Sequence, residues 1–229
     1  GSEMCIRDRS KVVNFNTKGS AVTSFTYGGG SGYTNGAYGA DAAYLGMTDD
    51  GKVRFMLSGV TGTVNASEVQ VVEYAAVSDH VSYYAVSGGK LIHYISQDLN
   101  KLPVSFINNG TAPSYLNEGV KYYSYDGHYF YTDYAVMLSD YQNNTNGQNA
   151  VNAGNAFYNF FQFKNMREAT KYSGEELNVM LQSAMSAAGV DTASSKLSGT
   201  GLSFLKYQNV YSVNALLSMG IAINESAWG

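Results

Sequence analysis

The chain has 229 residues, 45% hydrophobic and 14% charged, with 25 Gly, 2 Pro and 20 Tyr. That length and apolar fraction supply a packed core and exclude a disordered tail, which would be highly charged and poor in aromatics. A net charge of −4 gives no footprint for nucleic acid or an anionic membrane surface, and the longest apolar run, near residues 213–223, is too short to span a bilayer.

The chain opens GSEMCIRDRS, in which Met4-Cys5-Ile6-Arg7-Asp8-Arg9 resembles one reading frame of a transposon adapter used in library preparation. Residues 1–9 are therefore set outside the fold. Without Cys5 the remainder has no cysteine. That excludes disulfides and thiolate metal sites, and is compatible with a bacterial protein exported to the cell surface.

Residues 10–40, with Gly28-Gly29-Gly30-Ser31-Gly32, read as a Gly/Ser-rich linker carrying one strand. No Lys-Ser/Thr follows the glycines, so they are not a phosphate loop. Residues 41–74 hold short β-rich runs, Ala43–Gly46, Lys52–Leu57 and Val69–Tyr74, separated by Asp49-Asp50-Gly51 and Ser58–Gly62. Such spacing predicts a small barrel. The order strand, GVTGTV, NASEV, strand resembles bacterial SH3-like domains, with Thr63 where Trp is common. That resemblance implies a wall-attachment module or a spacer.

Residues 75–133 continue as β-hairpins. Tyr83–Val86 and Lys90–Ile95 flank Ser87-Gly88-Gly89; Lys121–Tyr125 and His128–Thr132 flank Asp126-Gly127, a two-residue hairpin signal. The tyrosines suit half-buried strands first and sugar-stacking faces second.

From residue 134 the period becomes helical. Tyr134–Leu138 starts a short helix. Ser173 and Glu176 have capping-box spacing ahead of Leu177, Met180, Leu181, Ala184, Met185 and Ala188, and Gly189 supplies a stop. Residues 200–211 form a further helix, with Leu202, Leu205 and Tyr207 as core contacts. Ser212 or Asn214 caps the last one, which is apolar nearly all round and belongs inside a domain. It delivers Glu225 at its C-terminal end. Apolar neighbours and the negative end of the helix dipole both disfavour an ionised carboxylate there, the direction a general acid requires. A helix-terminal glutamate that merely reaches solvent fits the same letters.

Tyr207-Gln208-Asn209-x-Tyr211-x-Val213-Asn214-Ala215-Leu216-Leu217, followed by Ala222-x-Asn224-Glu225-Ser226-x-Trp228-Gly229, resembles the glucosaminidase domain of bacterial autolysins, glycoside hydrolase family 73. Soluble lytic transglycosylases have a related Glu-Ser helix, and residues 110–229 look like clostridial-type wall hydrolases. The resemblance implies an α+β chain: a β-rich N-terminal region, then an α-helical lysozyme-like domain over 134–229. It implies cleavage of the β-1,4 bond after N-acetylglucosamine in peptidoglycan, in a secreted or wall-associated setting, with Glu225 as catalytic acid. Tyr207 and Trp228 would shape the sugar groove. The family's second acidic residue follows this motif, so the resemblance also implies an incomplete catalytic domain, inactive by itself. A non-catalytic wall-binding protein and a lytic transglycosylase are the alternatives.

No cofactor is expected. His80, His93 and His128 lack ligand-like spacing, no His-Glu-x-x-His occurs, and no Gly-x-Ser-x-Gly is present.

Overall fold

The computed structural model describes residues 10–159 and 164–229, and the adapter-like residues 1–9 lie outside it. The chain divides into two units, the first ending at Tyr158 and the second Asn159–Gly229. The first is β-rich and the second helical, so a mixed α and β composition with its strands at the N-terminal end is what the chain has.

In the first unit, β1 (Lys11–Asn14), β2 (Thr23–Tyr27), β3 (Gly30–Thr34), β4 (Asp41–Met47), β5 (Lys52–Leu57), β6 (Val60–Asn65) and β7 (Gln70–Glu73) form one sheet. Its order is β3-β2-β6-β5-β4-β1-β7. A second sheet has the order β10-β9-β8, from β8 (Tyr83–Ser87), β9 (Lys90–Ile95) and β10 (Ser105–Thr111). The expected SH3-like barrel is not closed. β1 inserts between β4 and β7, with Val12 opposite Ala43 on one side and Val72 on the other, so residues 41–74 do not wrap onto themselves. Val12 and Val13 are fully buried, one in each of two apolar clusters. The segment read as a linker thus carries three strands, two of them inside the sheet. A two-residue apolar signal amid Gly, Ser and Asn was too short to show it.

Two tight turns follow their local chemistry. Ser58-Gly59 (φ 49° and 77°) joins β5 to β6, and Gly88-Gly89 (φ 55° and 71°) joins β8 to β9. Positive φ at both central residues matches the twist of a right-handed hairpin. The Asp126-Gly127 pair behaves differently. Only Tyr123 and Tyr131 exchange backbone hydrogen bonds, at 2.7 and 3.0 Å, around a long loop. Asp126 Oδ1 accepts from the amides of His128 and Tyr129, and Tyr141 Oη accepts from those of Tyr125 and Asp126. Side chains have taken the donors that a two-residue hairpin would have paired across strands.

These tyrosines are core anchors. Tyr125, Tyr131, Tyr134 and Tyr141 are buried and pack with Val12, Ala43 and Met56 beside the helix Tyr134–Gln142 (α2; α1 is Tyr74–Val77). Tyr131 Oη donates to Asp140 and accepts from Gly147 N. Each ring adds apolar volume while its hydroxyl satisfies a buried group. Helix α2, expected to open the helical domain at residue 134, therefore packs in the first unit.

His93 gives this unit a pH dependence. Burial lowers its pKa to about 4, and its ring stacks on Tyr84 with centroids 4.1 Å apart. An unfolded histidine titrates near 6.5, so the folded state resists protonation between those values. This contribution is complete above that upper value and is lost as pH falls through the window, by up to about 3 kcal/mol. His93→Phe should hold its urea midpoint better than wild type on going from about pH 7 to about pH 4.5. Parallel losses in both proteins would contradict this.

The second unit has three named helices among its described residues: α3 (Gly174–Ala187), α4 (Gly201–Tyr211) and α5 (Ala215–Ser226). Ser173 and Glu176 form the expected capping box, and Leu177, Leu181 and Met185 are fully buried. They pack with Ala215 and Met219 of α5, and with Phe204, Leu216, Ile223 and Trp228 around them. The α4 face differs from the sequence expectation. Leu202 and Tyr207 are exposed, and Gly201, Phe204 and Gln208 turn inward instead.

Candidate functional site

Asn214 starts α5, its Oδ1 accepting from Leu217 N at 3.0 Å. Both this side chain and Gln208 are buried, and both reach the segment that precedes α3. Asn214 N donates to Met166 O at 2.6 Å, and Asn214 Nδ2 to Glu168 O at 2.6 Å. Gln208 Oε1 accepts from Thr170 N at 2.8 Å and Ala215 N at 2.9 Å. These bonds clamp residues 166–170 alongside the start of α5. Buried amides of this kind act through full satisfaction of their donors and acceptors.

The clamp makes a groove. Met166 stands on one side; Leu216, Leu217, Gly220, Ile221, Asn224 and Glu225 of α5 form the floor and far wall, enclosing about 560 Å³. Residues 217, 220, 221, 224 and 225 are spaced i, i+3, i+4, i+7 and i+8, one face of a helix. The opposite face, with Ala215 and Met219, enters the core. The helix is therefore half-buried. Its apolar letters divide between packing and groove, which an all-round apolar pattern could not reveal.

Glu225 is the acidic residue in this groove, at its polar end. Asn224 Nδ2 donates to Glu225 Oε1 at 3.2 Å, leaving Oε2 open among the described residues. The carboxylate is exposed, so the enclosure by apolar neighbours expected from the sequence is absent: the apolar side chains line the groove along the helix and do not cover the acid. The helix terminates just past it. Ala227 and Trp228 take positive φ (48° and 81°), and Trp228 N bonds Ile223 O at 3.2 Å.

That turn sends Trp228 into the apolar cluster, with its carbonyl accepting from Ser195 Oγ. Trp228 packs, partly buried, against the core and is not among the groove residues. Tyr207 lies on the exposed face of α4, stacked on Tyr211 with centroids 5.8 Å apart, also away from the groove walls. Of the three residues singled out from the sequence, only Glu225 lines the groove. Sequence reasoning missed Met166, Gln208 and Asn224. Gln208 and Asn224 stood within the motif that resembles the glucosaminidase domain but carried no assigned role, and nothing in the sequence marked Met166.

Among the described residues no three His, Cys, Asp or Glu side chains gather as metal ligands would. No helix among them is long and apolar enough to cross a membrane.

No protein-family profile matches the chain. Over 182 residues, 80% of its length, the chain is 28% identical to a protein of Streptococcus pneumoniae TIGR4 named "Putative endo-beta-N-acetylglucosaminidase". It has the same identity over the same span to the equally named protein of strain R6. The alignment spans 22% and 21% of those two curated relatives. By sequence the chain is a distant relative of proteins that carry a glycosidase name.

Proposed function

We propose that the groove beside α5 binds a peptidoglycan glycan strand and that Glu225 is the general acid of an endo-β-N-acetylglucosaminidase of the glycoside hydrolase 73 type. The observation that carries this reading is one carboxylate at the polar end of an apolar groove, with Asn224 holding one oxygen. The name of the two pneumococcal relatives supports the same substrate class. Oε2 is free to carry the proton, which passes to the glycosidic oxygen as the C1–O bond breaks and positive charge develops on the departing sugar ring. A sugar lying over Leu217 and Ile221 displaces water from the carboxylate, supplying on binding the desolvation that the empty groove lacks.

This chemistry needs a second group, to activate water or stabilise the oxocarbenium ion. Glu225 is the only acid among the described groove residues, so on this reading the partner comes from outside the groove lining. The groove then supplies binding and the acid, and cleavage requires that second group as well. In this account the location is the bacterial cell wall, reached by export.

The lone, exposed acid also favours a second reading, a wall-binding protein with no catalysis. Sedimentation with purified sacculi and release of reducing sugar by the intact gene product separate the two. Binding with release supports the hydrolase, binding without release supports the second reading, and neither excludes both. A lytic transglycosylase would leave 1,6-anhydro ends.

A further inference from the structure

The interior of α5 contains a glycine that nothing among the described residues requires. A Cβ built on Gly220 meets no atom within 4 Å. The glycines at the starts of the other two helices are different. A Cβ on Gly201 would lie 2.2 Å from Gly174 O, and one on Gly174 would lie 2.5 Å from Leu202 Cδ2. Those two let α3 and α4 approach. Gly220 has no backbone reason either, since its φ is not in the left-handed region. Glycine within a helix is destabilising relative to alanine, so a position free of contact and of strain would be better filled by almost any other residue.

Its location supplies the missing reason. Gly220 sits on the groove stripe, three residues after Leu217 and four before Asn224, in the floor that leads to Glu225. Leu217 and Asn224 flank it along the helix, Ile221 lies beside it half-exposed, and Met166 faces the groove from the clamped segment. The bare backbone makes a notch between side chains. A ligand that fits it must present a flat face with apolar C–H bonds to the notch and hydroxyl or amide groups towards Asn224 and Glu225. A pyranose ring does both.

We infer that Gly220 is a specificity-determining residue: it leaves the depth in which one sugar ring of the bound strand rests against α5, in register with Glu225. This rests on the proposed glycan-binding role of the groove. It makes the notch the feature that admits a ring edge, where a side chain at 220 would lift the strand away from the acid. Filling the notch therefore separates two properties that usually move together. The helix becomes more stable and the ligand binds more weakly.

The test uses the full chain and a soluble tetramer of β-1,4-linked N-acetylglucosamine, with binding followed by calorimetry or by NMR shifts of the α5 amides. Gly220→Ala should raise the thermal midpoint and weaken binding about threefold or more; Gly220→Met, larger and unbranched at Cβ, should weaken it more than about tenfold. Val210→Ala, exposed on α4 and away from the groove, should keep wild-type affinity. Wild-type affinity in both Gly220 variants would overturn the inference while leaving the groove a glycan site. A wild-type chain that binds no tetramer would overturn the inference and the glycan-binding role together. Should the Met variant fail to fold, the Ala variant decides alone: a higher midpoint with unchanged affinity counts against the notch.

Discussion

Glu225→Gln in the intact gene product should lower the rate of reducing-sugar release from sacculi by roughly 10²–10⁴-fold, the range for loss of a general acid. The amide keeps the shape and can still accept from Asn224, but it has no proton of suitable acidity to give the leaving oxygen. Because the side chain is exposed, the thermal midpoint should hold to within about 0.5 kcal/mol of stability. Binding to sacculi should persist, which distinguishes lost chemistry from a damaged groove. Asn224→Ala should fall between wild type and Glu225→Gln, since it frees the carboxylate to rotate without removing it. Full activity in Glu225→Gln would take this residue out of the reaction.

The largest stability effect should come from Asp41, at the first residue of β4. It is 2% exposed, and three donors converge on it: Ser82 N at 2.7 Å and Tyr125 Oη at 2.5 Å on Oδ2, and Ser82 Oγ at 2.5 Å on Oδ1. Ser82 Oγ in turn accepts from Ser96 N at 2.9 Å. One carboxylate thus ties the seven-stranded sheet to the flanks of β8 and β9 and to the tyrosine-rich loop. Asp41→Ala leaves these donors unpaired in the interior, and should cost about 3–5 kcal/mol in a denaturant titration. Asp41→Asn is a milder case. Its Oδ1 can serve Ser82 N and Tyr125, while its Nδ2 donates to Ser82 Oγ; the expected loss is under about 1.5 kcal/mol.

The two variants also differ from wild type in pH response. Burial raises the Asp41 carboxyl above its ordinary range, against the lowering effect of the Ser82 and Tyr125 hydrogen bonds. A folded value above the unfolded one means that this contribution is complete below the unfolded value and is lost as pH rises through the folded one. Asp41→Asn should lack that loss, the opposite sense to the His93 effect. A loss of less than about 1 kcal/mol for Asp41→Ala would show that the joint is not what holds the two sheets together.

What the letters disclosed depended on how local the cause was. The capping box at Ser173 and Glu176, the Gly88-Gly89 turn and the Leu177, Leu181, Met185 stripe each follow from residues within one or two turns of chain. The place of β1 between β4 and β7 follows from pairings over about thirty and sixty residues of sequence, for which Val12-Val13 was the only hint. Asp126-Gly127 signalled a turn correctly but not its width, because the hydroxyl of Tyr141, far along the chain, takes two of the amides. The position of Glu225 at the end of an apolar helix was legible, and its exposure was not. Whether an apolar face meets protein or an open groove is decided by the neighbours, here the segment that Gln208 and Asn214 pull against α5. Tyr207 and Trp228 read as sugar-facing aromatics, yet one stacks on Tyr211 and the other packs, partly buried, against the core.

The most direct measurement is the chemical identity of the new chain ends. Sacculi digested by the intact gene product are reduced with borohydride, hydrolysed, and analysed for amino-sugar alcohols. Cleavage after N-acetylglucosamine with Glu225 as acid predicts glucosaminitol, absent from the Glu225→Gln digest. Muraminitol, 1,6-anhydromuramic products or undigested sacculi would contradict it.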